Sequence, residues 1–291
     1  MKPTVFHTTA ITPASLVEAY EHLGRPATGR VAVKISTGEP GPGAGNWLDP
    51  ALIKDLVHRV GGTIVESNTG YEGKRFHTDE HRQVAADHGY TGIADVDILD
   101  ADGTMDLPTR GGGHLDRDIV GTHVGHYDFL IILSHFKGHI AGGFGGAIKN
   151  ASIGMASSAG KLYIHSAGTT SATTADGIVR AEQDDFLESM AEAAAAVADH
   201  FEGRILYINV ANKISVDCDC DANAAPAAMA DLGVFASLDP VAVDKATTDA
   251  IWAAPDSADV IERIESRHGL HTLEHGEKIG LGSQDYELVE F

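Results

Sequence analysis

The stretch FLIILSHFKGHIAGGFGGAIKNASIGMASSAGKLYIHS, residues 129–166, decides how the rest of the chain is read. Its first five residues, Phe129 to Leu133, are uniformly apolar and partly β-branched, the pattern of a strand buried on both faces. The residues after Leu133 are polar, Gly-rich and poor in helix formers. The pattern therefore predicts a central strand whose carboxyl end opens into a structured loop region over 134–166.

Outward from this segment, strand-length apolar runs alternate with longer helical patterns. Strands are expected at 31–35, 63–66, 96–99, 205–210 and 232–236, and helices at 49–60, 79–88, 182–200 and 239–252. Asp49 and Asp239 stand where an N-cap carboxylate accepts from the first helical N–H groups, each followed by Pro. Gly61 with Gly62, and Gly203, stand where a helix stops. A Gly/Pro loop is expected at 38–45. The β-α-β-α order predicts an α/β protein, one domain over 1–291, with a mostly parallel or mixed sheet and helices on both faces. In such sheets ligands sit beyond the carboxyl ends of the strands, so the Gly-rich segment is expected to line a cleft.

Composition narrows the functional classes. With 21 Lys+Arg against 42 Asp+Glu, the formal charge is −21, which argues against a nucleic-acid partner and against docking on an anionic membrane. No run approaches the ~18–20 continuous apolar residues of a membrane span, and the first ten residues resemble neither a signal peptide nor an anchor. A cytoplasmic protein is expected. Only Cys218 and Cys220 are thiols, and one residue apart they are poorly placed for an ordinary disulfide. A symmetric homodimer is the commonest state for soluble enzymes of this size.

The chemistry concentrates in 134–166. Gly142-Gly143-Phe144-Gly145-Gly146 precedes Lys149 and Asn150, but a Walker loop needs Gly-Lys-Ser/Thr contiguous, and no dinucleotide fingerprint or G-x-S-x-G elbow occurs. Four glycines in five positions let backbone N–H groups approach a ligand, and Lys149 is placed to meet an anion or a carbonyl. Gly145, Gly146, Asn150, Lys137 and Lys161 are candidate ligand contacts. The alternative is a tight turn in which Lys149 caps a carboxylate. His139 and His165 are candidate acid/base groups, or ligands for Fe, Ni or Zn. Further on, Asp217-Cys218-Asp219-Cys220-Asp221 makes Cys218 and Cys220 candidate metal ligands; otherwise the run is a solvated acidic loop with small buried thiols. Two thiolates cannot complete a four-cysteine site.

Several of these runs resemble one family. K-G-H at 137–139, F-G-G-A-I-K-N at 144–150 and A-S-x-x-G-K-L-x-x-H-S at 156–166 are joined by C-D-C at 218–220. D-x-G-V-F-A-S-x-D-P-V-A-V-D at 231–244 and G-L-G-x-x-x-Y-E-L at 280–288 complete the set. Together they resemble the uncharacterised family called domain of unknown function 362, whose members are often labelled iron–sulfur cluster-binding. Two departures matter: Met155 stands where such members commonly carry Cys, and 166–182 stands where they carry a ferredoxin-like module. The resemblance therefore implies no intrinsic 4Fe–4S cluster here. A shorter similarity links H-x-x-x-G-F-G-G-x-x-K and a distal His to nickel-pincer lactate racemases. In that family the lysine anchors the cofactor, and histidines ligate nickel or exchange the substrate proton; His139, Lys149 and His165 match. The expectation is a metal- or cofactor-binding protein with a site for a small or anionic molecule. The alternative is a non-catalytic ligand-binding or assembly protein that has lost its iron–sulfur module.

Overall fold

A run of seven buried residues needs cover on both sides, and the sheet is built around that need. The structure is a computed structural model describing residues 2–41, 47–110, 113–175 and 177–291. Of the Gly/Pro loop expected at 38–45, positions 42–45 lie outside the described residues. The chain opens with β1 (Thr4–Thr8), α1 (Pro13–His22), β2 (Val31–Lys34) and α2 (Pro50–Val60). Then come β3 (Thr63–Glu66), α3 (Thr78–Asp87), β4 (Val96–Ile98) and the hairpin β5 (Thr104–Pro108) with β6 (Arg117–Gly121). The central strand β7 (Phe129–His135) leads into a small hairpin, β8 (Lys137–His139) with β9 (Gly143–Gly145). Helices α4 (Ala147–Ala151), α5 (Ser158–His165) and α6 (Gln183–His200) come next. The remaining elements are β10 (Ile205–Ala211), β11 (Gly233–Ser237), α7 (Pro240–Ala253), α8 (Ala258–Ser266), α9 (His271–Lys278) and β12 (Glu287–Glu290).

The main sheet has the order β12-β1-β11-β10-β7-β2-β3-β4. From β10 to β4 every neighbour is parallel, while β11 runs antiparallel to both β10 and β1. Side chains alternate across this sheet, as the two-residue strand period requires. Phe129, Ile131 and Leu133 pack with Leu16, Tyr20, Ile53 and Leu56 of α1 and α2. Leu130 and Ile132 face the other way, toward Ala194 and Val197 of α6 and Val243 and Ala246 of α7. Each such Leu or Ile contributes on the order of 1.5–3 kcal/mol by burial. Helices therefore cover both faces, in the expected α/β architecture.

The expected caps are present. Asp49 accepts from Ala51 N at 2.8 Å, Asp239 accepts from Ala242 N at 2.9 Å, and Gly61 ends α2 in the left-handed region at φ 59°. The 134–166 segment differs from expectation: it is not loop but the β8–β9 hairpin and two short helices. Tertiary contacts supply what local propensity lacks. Asp244 of α7 accepts from Ala147 N (2.7 Å) and Ile148 N (2.9 Å) at the start of α4, and Asn209 of β10 donates to the same carboxylate at 2.7 Å. Ser157 caps α5 by accepting from Gly160 N at 3.1 Å. No helix among the described residues is long and apolar enough to cross a membrane.

Candidate active site in the cleft

Parallel strands deliver their last residues to one edge. Lys34, Glu66, Ser134 and His135, at the ends of β2, β3 and β7, line a single cavity of about 200 Å³. The same cavity is lined by Lys137, His139, Gly145, Gly146, Lys149, Asn150, Lys161, His165, Cys218 and Cys220. All ten residues singled out in the sequence thus share one wall system, and the Gly-rich segment lines the cleft.

Their partners divide them into two groups. Asn150 is fully engaged by the protein: its amide donates to Lys34 O, Leu133 O and Ser134 Oγ at 3.2–3.3 Å, and its Oδ1 accepts from Lys34 Nζ at 3.0 Å. It ties β2 to β7, a structural use that leaves it little capacity for a ligand. Lys137 donates to Asp219 at 2.8 Å, and Lys161 donates to Ala156 O at 2.5 Å. Gly146 is a close-approach position, because a Cβ there would run into the Asp244 carboxylate and the Phe136 ring. Lys149, in contrast, makes no ion pair or hydrogen bond among the described residues, so it caps no carboxylate there.

The two histidines are held in opposite tautomers. Backbone N–H groups of Ala141 (3.2 Å) and Gly142 (2.9 Å) donate to His139 Nδ1, which leaves the proton of the neutral ring on Nε2. His165 Nδ1 lies 2.7 Å from Lys161 O and donates to it, so Nε2 keeps a lone pair. Burial lowers both to about 4, and Lys149 adds to the effect on each, so both rings are neutral at pH 7.

The C-D-C run is not a solvated loop. Asp219 is buried and bonded by His135 Nδ1 and Lys137 Nζ, both at 2.8 Å. This anchors the run to the end of β7. Cys218 is buried, and its sulfur accepts from Cys220 N at 3.4 Å. Hydrogen bonding from the Cys220 thiol, with Lys149 and His139 nearby, pulls the Cys218 thiol well below its ordinary range despite burial. Donating that bond, together with burial, pushes Cys220 up. Ligand atoms of His139, Cys218 and Cys220 all lie within 4.8 Å of one another.

Sequence reasoning missed the opposite wall. Lys34 is buried and pairs with Glu66 at 2.7 Å, while Arg75 pairs with Glu39 at 2.8 Å and lies 3.4 Å from Glu66. Burial alone would raise Glu66, but Lys34 and Arg75 outweigh it and hold Glu66 at about 2. A charged residue ending a buried strand, as in VAVK and TIVE, was the available signal. Six of the chain's 21 Lys and Arg (Lys34, Arg75, Lys137, Lys149, Lys161 and Arg180) line the cavity, against one carboxylate, Glu66.

A family model described as a domain of unknown function (DUF362) matches residues 31–249. No curated protein matches the chain. Among solved structures, the lactate racemase apoprotein from Thermoanaerobacterium thermosaccharolyticum is similar at 14% identity and a TM-score of 0.45. That match covers 85% of this chain and 56% of the other. A Thermotoga maritima protein solved by structural genomics is 11% identical with a TM-score of 0.44, covering 94% of this chain and 60% of that one. The chain thus spans less than two thirds of the length of either structure.

Proposed function

The chain belongs to the family described as domain of unknown function 362, and from that premise we propose that its cleft binds and acts on a small anionic molecule, a carboxylate or a phosphate. One observation carries the reading: six cationic side chains beside one carboxylate, in a chain whose formal charge is −21. Four of them, Lys34, Arg75, Lys137 and Lys161, are buried, which is costly unless each is matched. Glu66, Glu39 and Asp219 match Lys34, Arg75 and Lys137, and Ala156 O accepts from Lys161, which leaves Lys149 and Arg180 without a partner among the described residues. Lys149, beside the Gly-rich hairpin, is the anchor in this reading for an incoming anion. His165, with its Nε2 lone pair, is the proton acceptor in this reading, and His139, with Nε2–H, the donor. Two free thiols also suit a reducing, cytoplasmic compartment.

A second reading rests on the spacing of His139, Cys218 and Cys220, which suits a soft or borderline metal such as Zn, Fe or Ni. In that case Cys218 and Cys220 would be the first ligands, and His139 would join them through Nε2 only in the neutral tautomer that carries its proton on Nδ1.

Lys149→Met tests the first reading. Calorimetric titration with small carboxylates and inorganic phosphate should show at least a tenfold loss of affinity, about 1.4 kcal/mol, with the melting temperature unchanged. Unchanged affinity, or an unfolded variant, would remove Lys149 from the site. Metal content of tag-free protein, compared with Cys218→Ser and His139→Ala, decides the second reading.

A further inference from the structure

Two buried lysines of the cleft wall are paired with carboxylates, Lys34 with Glu66 and Lys137 with Asp219. Lys161, 9% exposed, is not. Among the described residues its Nζ makes no ion pair and a single hydrogen bond, donated to the backbone carbonyl of Ala156 at 2.5 Å. The reason lies in how α5 starts. Lys161 sits one turn into the helix, and its side chain runs back past the N-cap Ser157 to reach that carbonyl. The amine therefore lies at the helix end where unpaired N–H groups carry partial positive charge.

The charged groups around Lys161 do not make good this lack. Asp100 and Glu66 attract it, but both are engaged by other donors. Glu66 accepts from Lys34 and Arg75, and Asp100 accepts from Asn68 N at 2.9 Å and Ser158 N at 3.0 Å. Asp118, also within reach of its field, is held up to about 7 by burial. Lys34 and Arg75 repel it. An ammonium ion in this position is buried without a matching charge, which is costly. A neutral amine needs only an acceptor for an N–H, which Ala156 O supplies, and it keeps its lone pair. Burial first, with Lys34 and Arg75 adding to it, brings Lys161 down to about 8. A desolvated lysine beside other cations is an activated nucleophile.

We propose that Lys161 is a nucleophile that condenses with the carbonyl group of a small 2-oxo acid in the cleft, forming an imine. This chemistry rests on the anion-binding reading above, in which Lys149 holds the carboxylate; both lysines line the same cavity. A 2-oxo acid is the smallest anion that offers a carboxylate to one lysine and an electrophilic carbon to another. The Nζ lone pair forms the new C–N bond while the C=O π pair moves to oxygen, which gains a proton as nitrogen loses one. The product is a carbinolamine. Nitrogen then forms the C=N bond as the hydroxyl group leaves, and the second nitrogen proton departs with it as water. Water is the only by-product, so the step needs neither oxidant nor reductant.

The test is reductive trapping with tag-free, full-length protein in an amine-free buffer. Pyruvate and sodium cyanoborohydride are added, adducts are counted by intact-mass spectrometry, and their positions are found by peptide mapping. At about pH 7.5 an ordinary lysine is neutral in roughly one molecule per thousand, whereas an amine at about 8 is neutral in roughly a quarter. The expected result is one reduced adduct per chain, on Lys161, formed at least tenfold faster than on the exposed Lys54 or Lys74. Lys161→Arg should abolish that adduct, and Lys149→Met should slow it at least tenfold at subsaturating pyruvate. An adduct absent from Lys161, carried by Lys149 instead, or spread evenly over exposed lysines overturns the proposal. The parent protein alone decides this, so a variant that fails to fold does not obscure the outcome. Calorimetric titration of the same sample with inorganic phosphate separates the two readings. Phosphate binding without labelling of Lys161 removes the imine and leaves the anion site standing, and loss of both removes both.

Discussion

At the scale of single residues, the informative groups are those whose surroundings disagree with their charge. Asp118 in β6 is fully buried, and neither carboxylate oxygen has a hydrogen bond of good geometry among the described residues. Burial raises it to about 7, and the nearby Ile119 N–H and Lys161 offset only part of this. The folded value lies above the ordinary 3.8, so the folded state binds the proton more tightly than the unfolded state. The stability from the protonated form is then fully present below about pH 4 and is lost as pH rises through 7. A difference of that size corresponds to about 4 kcal/mol at most. Asp118→Asn removes this titration. Urea denaturation at pH 5 and pH 8 should show the parent losing a few kcal/mol relative to the variant between the two. Parallel behaviour of the two proteins would show that Asp118 ionises in the folded state as freely as in the unfolded chain. Lys149 is the converse case, a cation near His139 and the thiols with no carboxylate of its own.

At the scale of elements, the same family-like runs acquire separate jobs. The second Asp of D-P-V-A-V-D, Asp244, caps α4 from below, so α7 and β10 together fix the turn that presents Lys149. Gly146 leaves room for that carboxylate, while a Cβ on Gly145 would meet only the Lys149 and Lys137 side chains at 3.5–3.6 Å. Gly146→Ala should therefore cost several kcal/mol by displacing Asp244 and Phe136, whereas Gly145→Ala should fold normally. Thermal melts of the two variants side by side check this, and equal melting temperatures would refute it. The central strands were legible because β-branched runs bounded by glycines have few other readings, and β3 falls on its expected residues. The polar helix α9 and the β5–β6 hairpin were not legible, since their burial comes from distant partners, whereas α8 carried a readable signal, Val260 and Ile264 four residues apart on its buried face. Leu273 is buried within HTLEHGEK, a helix with no apolar stripe to announce it. For the cleft, glycines and clustered Lys and His marked one wall. Lys34, Glu66 and Arg75 escaped because their pairing depends on strand order.

At the scale of the whole molecule, the charge is distributed against itself. The cleft gathers six of the 21 cationic residues, so the rest of the surface is more acidic than the formal −21 suggests. Mutual repulsion among surface carboxylates disfavours the compact state. It acts over the Debye length, about 30 Å at 0.01 M salt and about 10 Å at 0.1 M. Exposed ion pairs such as Lys2–Asp285 and Arg59–Glu21 oppose it weakly, each worth at most about 1 kcal/mol and itself screened by salt. The pairs at Glu66 and Asp219 are buried, where salt has little access. Screening should thus relieve more repulsion than it removes attraction. Raising NaCl from about 0.01 M to about 0.5 M is expected to raise the melting temperature by a few degrees, on a scale of roughly 2–4 °C per kcal/mol. Calorimetry across the salt series measures it. A melting temperature that falls throughout would mean that surface ion pairs, rather than net repulsion, dominate the electrostatics of the folded chain.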